Sequence, residues 1–288
     1  MKSIITMMVI FLTMATSAIA QELYVNTEPA SNMPANSLGI RLTNKFFNMQ
    51  HSGDNGMRFE PEIMWGVNKR LMLHLTGYAS DMMQPSVRAE GGSVYAKYRF
   101  LSLDQQHAHF RMAAYVKGSV IDNPYYPVMP EGAPVKRPYN NKELDLEGVT
   151  SGVNGGIVAT QLLHKLALSA TLGYIRYMNN VSNNIPDDFS RNAVNYSLSA
   201  GYLLLPVKYR SFQQTNLNLY VELLGKTNTD AIGKGTYLDI APAVQLIFNS
   251  TTRLDLSYRT QLTGDMDRNT FNTFIIRVEH NIFNIKKR

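Results

Sequence analysis

The sequence predicts an all-β protein: an antiparallel transmembrane β-barrel of about 12 strands. Three observations predict it. Apolar and polar residues alternate with period two along most of the chain, the alternating segments are long for a soluble sheet, and their connections alternate between long and short. The alternation is clearest over residues 56–80. Met57, Phe59, Ile63, Trp65 and Val67 share one parity with Pro61, while Arg58, Glu60, Glu62, Met64 and Gly66 take the other. After a polar turn at 68–70, Leu71, Leu73, Leu75 and Ala79 alternate with Met72, His74, Thr76 and Tyr78. Two strands joined by a tight turn make a hairpin, and the rest of the chain repeats the unit.

Residues 1–20 read as a secretory signal peptide. Lys2 supplies the positive start, residues 4–14 an apolar run, and Ala18-Ile19-Ala20 a small-residue cleavage site before Gln21. The run is shorter than the roughly 20 residues of a spanning helix, which argues against an anchor. The chain has no cysteine, so an exported protein of this kind is held together by a large core or by the membrane. The formal charge of +6, or +5 without Lys2, is spread thinly until Lys286-Lys287-Arg288 and points to no nucleic-acid partner.

Residues 21–36, with Pro29 and Pro34, lack periodicity and form a periplasmic leader that is a candidate plug; residues 37–288 form the barrel. The first strand carries Leu38, Ile40 and Leu42 against Gly39, Arg41, Thr43 and Lys45. The hairpin of 56–80 follows, then Val94, Ala96, Tyr98 and Phe100 against Tyr95, Lys97 and Arg99. After a turn at 102–106, Phe110, Met112, Ala114 and Val116 alternate with Arg111, Ala113, Tyr115 and Lys117. Residues 121–146 are the longest irregular piece, rich in proline; a loop of that length is functional or flexible, and it is the alternative candidate plug. Beyond it Val149, Val153, Ile157 and Ala159 begin a strand, followed by Leu166, Leu168, Ala170, Leu172 and Tyr174. Val194, Tyr196, Leu198, Ala200, Tyr202 and Leu204 make the next stripe. The last four strands carry Leu217 to Leu223, Leu238 to Phe248, Leu254 to Leu262, and Phe274 to Ile282, each with polar residues between.

A soluble barrel or sandwich would show the same parity. The membrane reading rests on strands of about ten to thirteen residues and on long connections at 48–55, 81–90, 121–146, 179–192, 227–234 and 264–269 against mostly short ones at 68–70, 102–106, 163–165 and 249–251. It rests also on Trp65, Tyr98, Phe100, Tyr174, Tyr196, Phe248 and Phe274, which fall near strand ends as girdle residues would. Pro61 and Pro242 oppose it, since each removes a ladder donor from a barrel without free edges; bulges are expected there. The chain also ends in Asn284-Ile285-Lys286-Lys287-Arg288, leaving Phe283 as a stand-in for the usual terminal aromatic.

The start of the mature chain, Glu22-Leu23-Tyr24-Val25-Asn26-Thr27-Glu28-Pro29-Ala30-Ser31-Asn32-Met33-Pro34 running into Leu38-Gly39-Ile40-Arg41-Leu42, resembles a leader found in uncharacterised outer-membrane barrels. With Arg58, Pro61-Glu62 and Gly66-Val67-Asn68-Lys69, the chain is similar to the transporter family named for the meta pathway of phenol degradation. The resemblance implies an outer-membrane location in a Gram-negative cell and passage of small, apolar or aromatic molecules. It carries no catalytic residues.

In a barrel the polar parity is a lumen. Arg41, Lys45, Arg58, Lys97, Arg99, Arg111, Lys117, Arg259 and Arg277 would point inward beside Glu60, Glu62, Glu222, Asp239, Asp255 and Glu279. Mixed interior charge selects small solutes, or the same groups pair and plug a narrow barrel, since an unpaired confined charge is costly. A glycosidase role for Glu60 and Glu62 fails because such carboxyls must face each other across a cleft. His51-Ser52-Gly53-Asp54 invites a hydrolase reading, but adjacent residues in one loop do not hold a nucleophile against its base. His107 and His109 share a face and Met33, Met82, Met83 and Met129 are soft donors, yet two histidines without a third ligand do not make a metal site. The sequence therefore calls for no cofactor and no metal. It predicts an outer-membrane channel passing a small solute without chemistry, with membrane lipid, that solute, and the export and barrel-assembly machinery as partners. A closed structural or adhesion barrel is the alternative, and a membrane-embedded hydrolase the third reading.

Overall fold

A computed structural model describes residues 23–50, 53–82, 86–123, 141–208, 211 and 213–285. The expected signal peptide, His51, Ser52, Met83, Met129 and the basic terminus lie outside the described residues. Twelve strands follow one another: β1 (Ser37–Asn48), β2 (Asn55–Gly66), β3 (Leu71–Ser80), β4 (Arg88–Asp104), β5 (Ala108–Ile121), β6 (Ser151–Leu163), β7 (Leu166–Met178), β8 (Asn192–Leu205), β9 (Asn216–Asn228), β10 (Thr236–Phe248), β11 (Thr252–Gly264) and β12 (Asn272–Ile282). Each pairs antiparallel with its neighbours in sequence, and β1 closes on β12 through Leu38 opposite Ile282 to Phe47 opposite Thr273.

The burial pattern is inverted relative to a soluble protein. Ile40, Leu75, Val94, Leu172, Leu198, Val221 and Val278 face outward and are exposed, while Arg41, Lys97, Glu222, Asp239 and Asp255 are buried. Only a hydrocarbon surround makes such an exterior favourable. All seven expected girdle aromatics are exposed. Trp65, Tyr98, Phe100 and Phe248 lie near the end with short turns, and Tyr174, Tyr196 and Phe274 near the end with long loops. The long connections are 49–54, 81–87, 122–150, 179–191, 229–235 and 265–271; on the other side only 206–215 exceeds a tight turn.

The prolines behave differently from expectation. Neither makes a bulge. Pro61 keeps register with Leu42, and Phe59 opposite Ala79 continues in the same register to Glu62 opposite Thr76, with the positions between left unpaired. Pro242 likewise leaves a gap between Ile240–Thr260 and Ala243–Ser257 without a shift. A missing N–H removes one hydrogen bond, and the continuous pairing on the strand's other edge holds the alignment. The bulges lie elsewhere, at Tyr78/Ala79, Arg99/Leu101, Leu203/Leu205 and Leu238/Asp239. Val149 also departs from expectation: β6 starts at Ser151, and Val149 is buried with loop residues instead.

Candidate functional site

The lumen is crossed by two segments that are not part of the wall. The leader enters at the short-turn end. Asn36 N–H donates to Gly66 O at 2.7 Å, and the Pro34 carbonyl lies where any side chain at position 66 would project, so Gly66 admits the crossing. Farther in, Arg277 donates to the carbonyls of Tyr24 and Val25 at 2.6 and 3.0 Å. Glu222 accepts from Val25 N, Asn26 N and Thr27 Oγ1 at 3.0, 2.8 and 2.7 Å. Glu28 reaches Arg41 at 3.1 Å and Lys97 at 3.4 Å, Lys97 also holds the Pro29 carbonyl at 2.7 Å, and Ala30 N donates to Thr160 at 2.9 Å. Residues 24–30 thereby span from β9 and β12 to β1, β4 and β6. Burial opposes ionisation of Glu28, but Lys97 and Arg41 outweigh it and hold the carboxyl at about 2.

The second segment is the root of the longest loop, Glu143-Leu144-Asp145-Leu146-Glu147. Its acids and leucines alternate. Leu144 and Leu146 pack with Phe47, Met49, Met82, Ile175, Tyr177 and Phe189 in an apolar cluster at the long-loop mouth. The acids grip opposite walls: Glu143 meets Lys226 at 3.0 Å and Arg268 at 2.7 Å, and Glu147 meets Lys45 at 2.6 Å and Lys117 at 3.4 Å. Asp145, between them, is 3.9 Å from Arg58. The segment is a strut across the mouth. Burial opposes charge on Glu143, and Lys226 and Arg268 override it to depress the carboxyl strongly; at Glu147 the Lys45 ammonium is the dominant cause of a similar depression. Gly148 ends the strut at φ +127°, a backbone that side chains rarely adopt, and a Cβ there would strike the Glu90 carboxylate.

Between leader and strut lies a cavity of about 430 Å³. Val25 to Glu28 form one boundary and Glu143 to Glu147 the other. One wall is charged and the facing wall on β6 to β8 is neutral, presenting Asn154, Thr171, Asn195 and Ser197.

Of the residues anticipated in the lumen, Arg41, Lys45, Arg58, Glu60, Glu62, Lys117, Arg259 and Arg277 line this chamber together. Arg41 pairs with Glu62 and Glu279, both at 2.9 Å, Lys45 with Glu60 at 2.8 Å, and Arg259 with Asp239 at 2.6 Å. Asp255 pairs with Arg277 at 2.6 Å. Lys97 and Glu222 hold the leader. Arg111 donates to Ser31 Oγ at 3.0 Å, while Arg99 lies at the short-turn rim with its guanidinium on the Lys69 carbonyl at 2.7 Å. His107 stacks on His164 at 4.7 Å and His109 meets Asp104 at 2.7 Å, so the two histidines turn to different partners.

Sequence parity missed Glu28, Glu90, Glu143, Asp145, Glu147 and Arg268. Glu90 has the outward parity of β4, but the bulge opposite Tyr78/Ala79 makes it the extra residue and turns it inward, where it is buried near Arg58. The strut had a visible signal in its acid–leucine alternation inside a proline-rich loop.

No family model matches the chain, and no curated protein matches it. Among solved structures, an outer membrane channel from Pseudomonas putida F1 aligns over 90% of this chain and 100% of its own, at 13% identity and a TM-score of 0.57. The NanC porin aligns over 86% of this chain and 100% of its own at 8% identity and a TM-score of 0.47. At such identities the likeness concerns the fold, and the chain has the twelve-stranded fold of an outer-membrane channel barrel.

Proposed function

We propose that this protein is an outer-membrane channel of a Gram-negative cell that passes a small solute between medium and periplasm without chemistry. The observation that carries the reading is the chamber: the polar face of the barrel surrounds open space, and the leader and the strut close that space at its two ends. Each boundary is held by hydrogen bonds and ion pairs, which can exchange with water, together with apolar packing of Leu144 and Leu146 in the strut and of Tyr24 and Val25 in the leader. The leader and the strut are accordingly the plugs. Arg41, Lys45, Arg58, Glu60, Glu62 and Arg259 form the central solute path. Lys97, Arg111, Glu222, Asp239 and Asp255 support it, and Arg99 belongs to its periplasmic rim. Membership of the family named for phenol degradation is part of the proposal, as is insertion by the export and barrel-assembly machinery.

Single-channel recording in a planar bilayer tests it. The intact chain should give small steps, and removal of residues 23–35 together with Glu143→Ala and Glu147→Ala should enlarge them several-fold. Pairing of the chamber cations with acids favours a second reading, the closed structural barrel, and silence from the opened variant would establish that reading instead.

A further inference from the structure

We propose that Glu147 occupies, from within the chain, a carboxylate site formed by Lys45, Arg58 and Lys117, and that the solute is a small organic carboxylate that displaces it. This rests on the channel reading and adds the chemical class of the cargo.

The two lysines come from strands four apart in the barrel, yet they converge on one carboxylate: Lys45 on Oε2 at 2.6 Å and Lys117 on Oε1 at 3.4 Å. That is the reception expected of a bound organic acid. Arg58 completes the wall in an unusual state. Its side chain is 5% exposed, its nearest carboxylate oxygens are at 3.6 Å (Glu90) and 3.9 Å (Asp145), and Met82 Sδ at 3.8 Å is its hydrogen-bond acceptor. Its Nε has no hydrogen-bond partner among the described residues. A buried guanidinium left short of acceptors is costly unless a further oxygen arrives. Glu147 itself is 42% exposed, so a solute in the chamber can reach it.

Displacement by a carboxylate conserves charge. When the strut lifts, Lys45, Lys117 and Arg58 lose Glu147, and a neutral solute would leave them under-compensated inside the barrel. An acid replaces one carboxylate by another. Beside the cations the remainder of the solute meets aromatic and amide side chains: the Tyr95 and Tyr115 rings stack at 5.7 Å, the Tyr78 ring lies 5.6 Å from Lys117, and Asn154 and Asn195 line the same chamber. A benzoate-sized acid fits the chamber and those side chains.

The test is equilibrium dialysis of labelled benzoate, with benzamide as the neutral isostere, against the refolded full barrel in detergent micelles. Glu147→Ala should bind benzoate at least tenfold more tightly than the intact chain, Glu147→Ala with Lys117→Met should lose that gain, and benzamide should gain nothing. Equal benzoate binding with and without Glu147, or an equal gain for benzamide, overturns the proposal. A measurement on the unaltered chain guards against misfolded variants: benzoate, and not benzamide, should speed amide hydrogen exchange at residues 143–148, and unchanged exchange counts against displacement. Neither readout needs ion flow. Conductance without benzoate binding therefore overturns this inference alone, and benzoate binding with silent bilayers overturns the channel alone.

Discussion

Glu222 shows how a single residue acquires a role its strand position does not announce. Placed on the inward face of β9 and buried, it takes its donors from the leader, at Val25 N, Asn26 N, Asn26 Nδ2 and Thr27 Oγ1. Hydrogen bonds to a charged acceptor contribute roughly 1.5–3 kcal/mol. Glu222→Ala should therefore release the leader while the barrel, held by its wall, stays closed. Glu222→Gln, which keeps one carbonyl acceptor, should release it less. Limited proteolysis of residues 23–36 in the refolded protein reads this directly: the alanine variant should be cut faster, and equal protection of both variants and the intact chain would show that Glu222 is not the anchor.

At the scale of the element, the strut works because one period-two segment satisfies two surroundings. Its leucines fill an apolar cap over the mouth, and its acids neutralise lysines and arginines that would otherwise face each other across the lumen. The dependence on pH follows from Glu143 and Glu147, both held below the ordinary carboxylate value of about 4.3 by neighbouring cations. Such pairs contribute in full above that ordinary value and are lost as pH falls through the depressed values. Conductance should therefore be flat from pH 8 to about 5 and rise only below about 4. A transition between pH 6 and 8 would contradict control by the strut carboxylates.

For the whole molecule, stability is set by lipid outside and by paired charge inside. Leu198, at the middle of β8, is exposed on the outer face, whereas Thr171 of the neighbouring strand lines the chamber. Leu198→Arg should cost roughly 2–4 kcal/mol, the range for a cation on the lipid face near the bilayer midplane. Thr171→Arg, facing water, should cost much less. Equilibrium unfolding in lipid vesicles separates the two, and equal losses would contradict the assignment of faces.

Much of this architecture was legible in the chain alone. Parity along residues 56–80 and in the later strands places the wall side chains inside or outside wherever no bulge intervenes, because a strand's two faces are a local property of the backbone. The alternation of loop lengths orients the barrel, and aromatics such as Trp65 and Tyr174 mark its two rims. Parity also brought Arg41, Lys45, Arg58, Glu60, Glu62 and Arg259 to the lumen as candidates. It could not give their partners. Glu147 meets Lys45, and Glu222 meets Val25, across separations that only closure of the sheet brings together. Glu90 turns inward through a bulge set by the pairing of β3 with β4. The leader and strut, lacking a core of their own, take their places from the charges arranged on the barrel wall and from apolar side chains that the closed wall presents to Tyr24, Leu144 and Leu146. Inside and outside were thus determined by local periodicity, while the division of the lumen into leader, chamber and strut was decided by long-range electrostatics that exist only after the barrel closes.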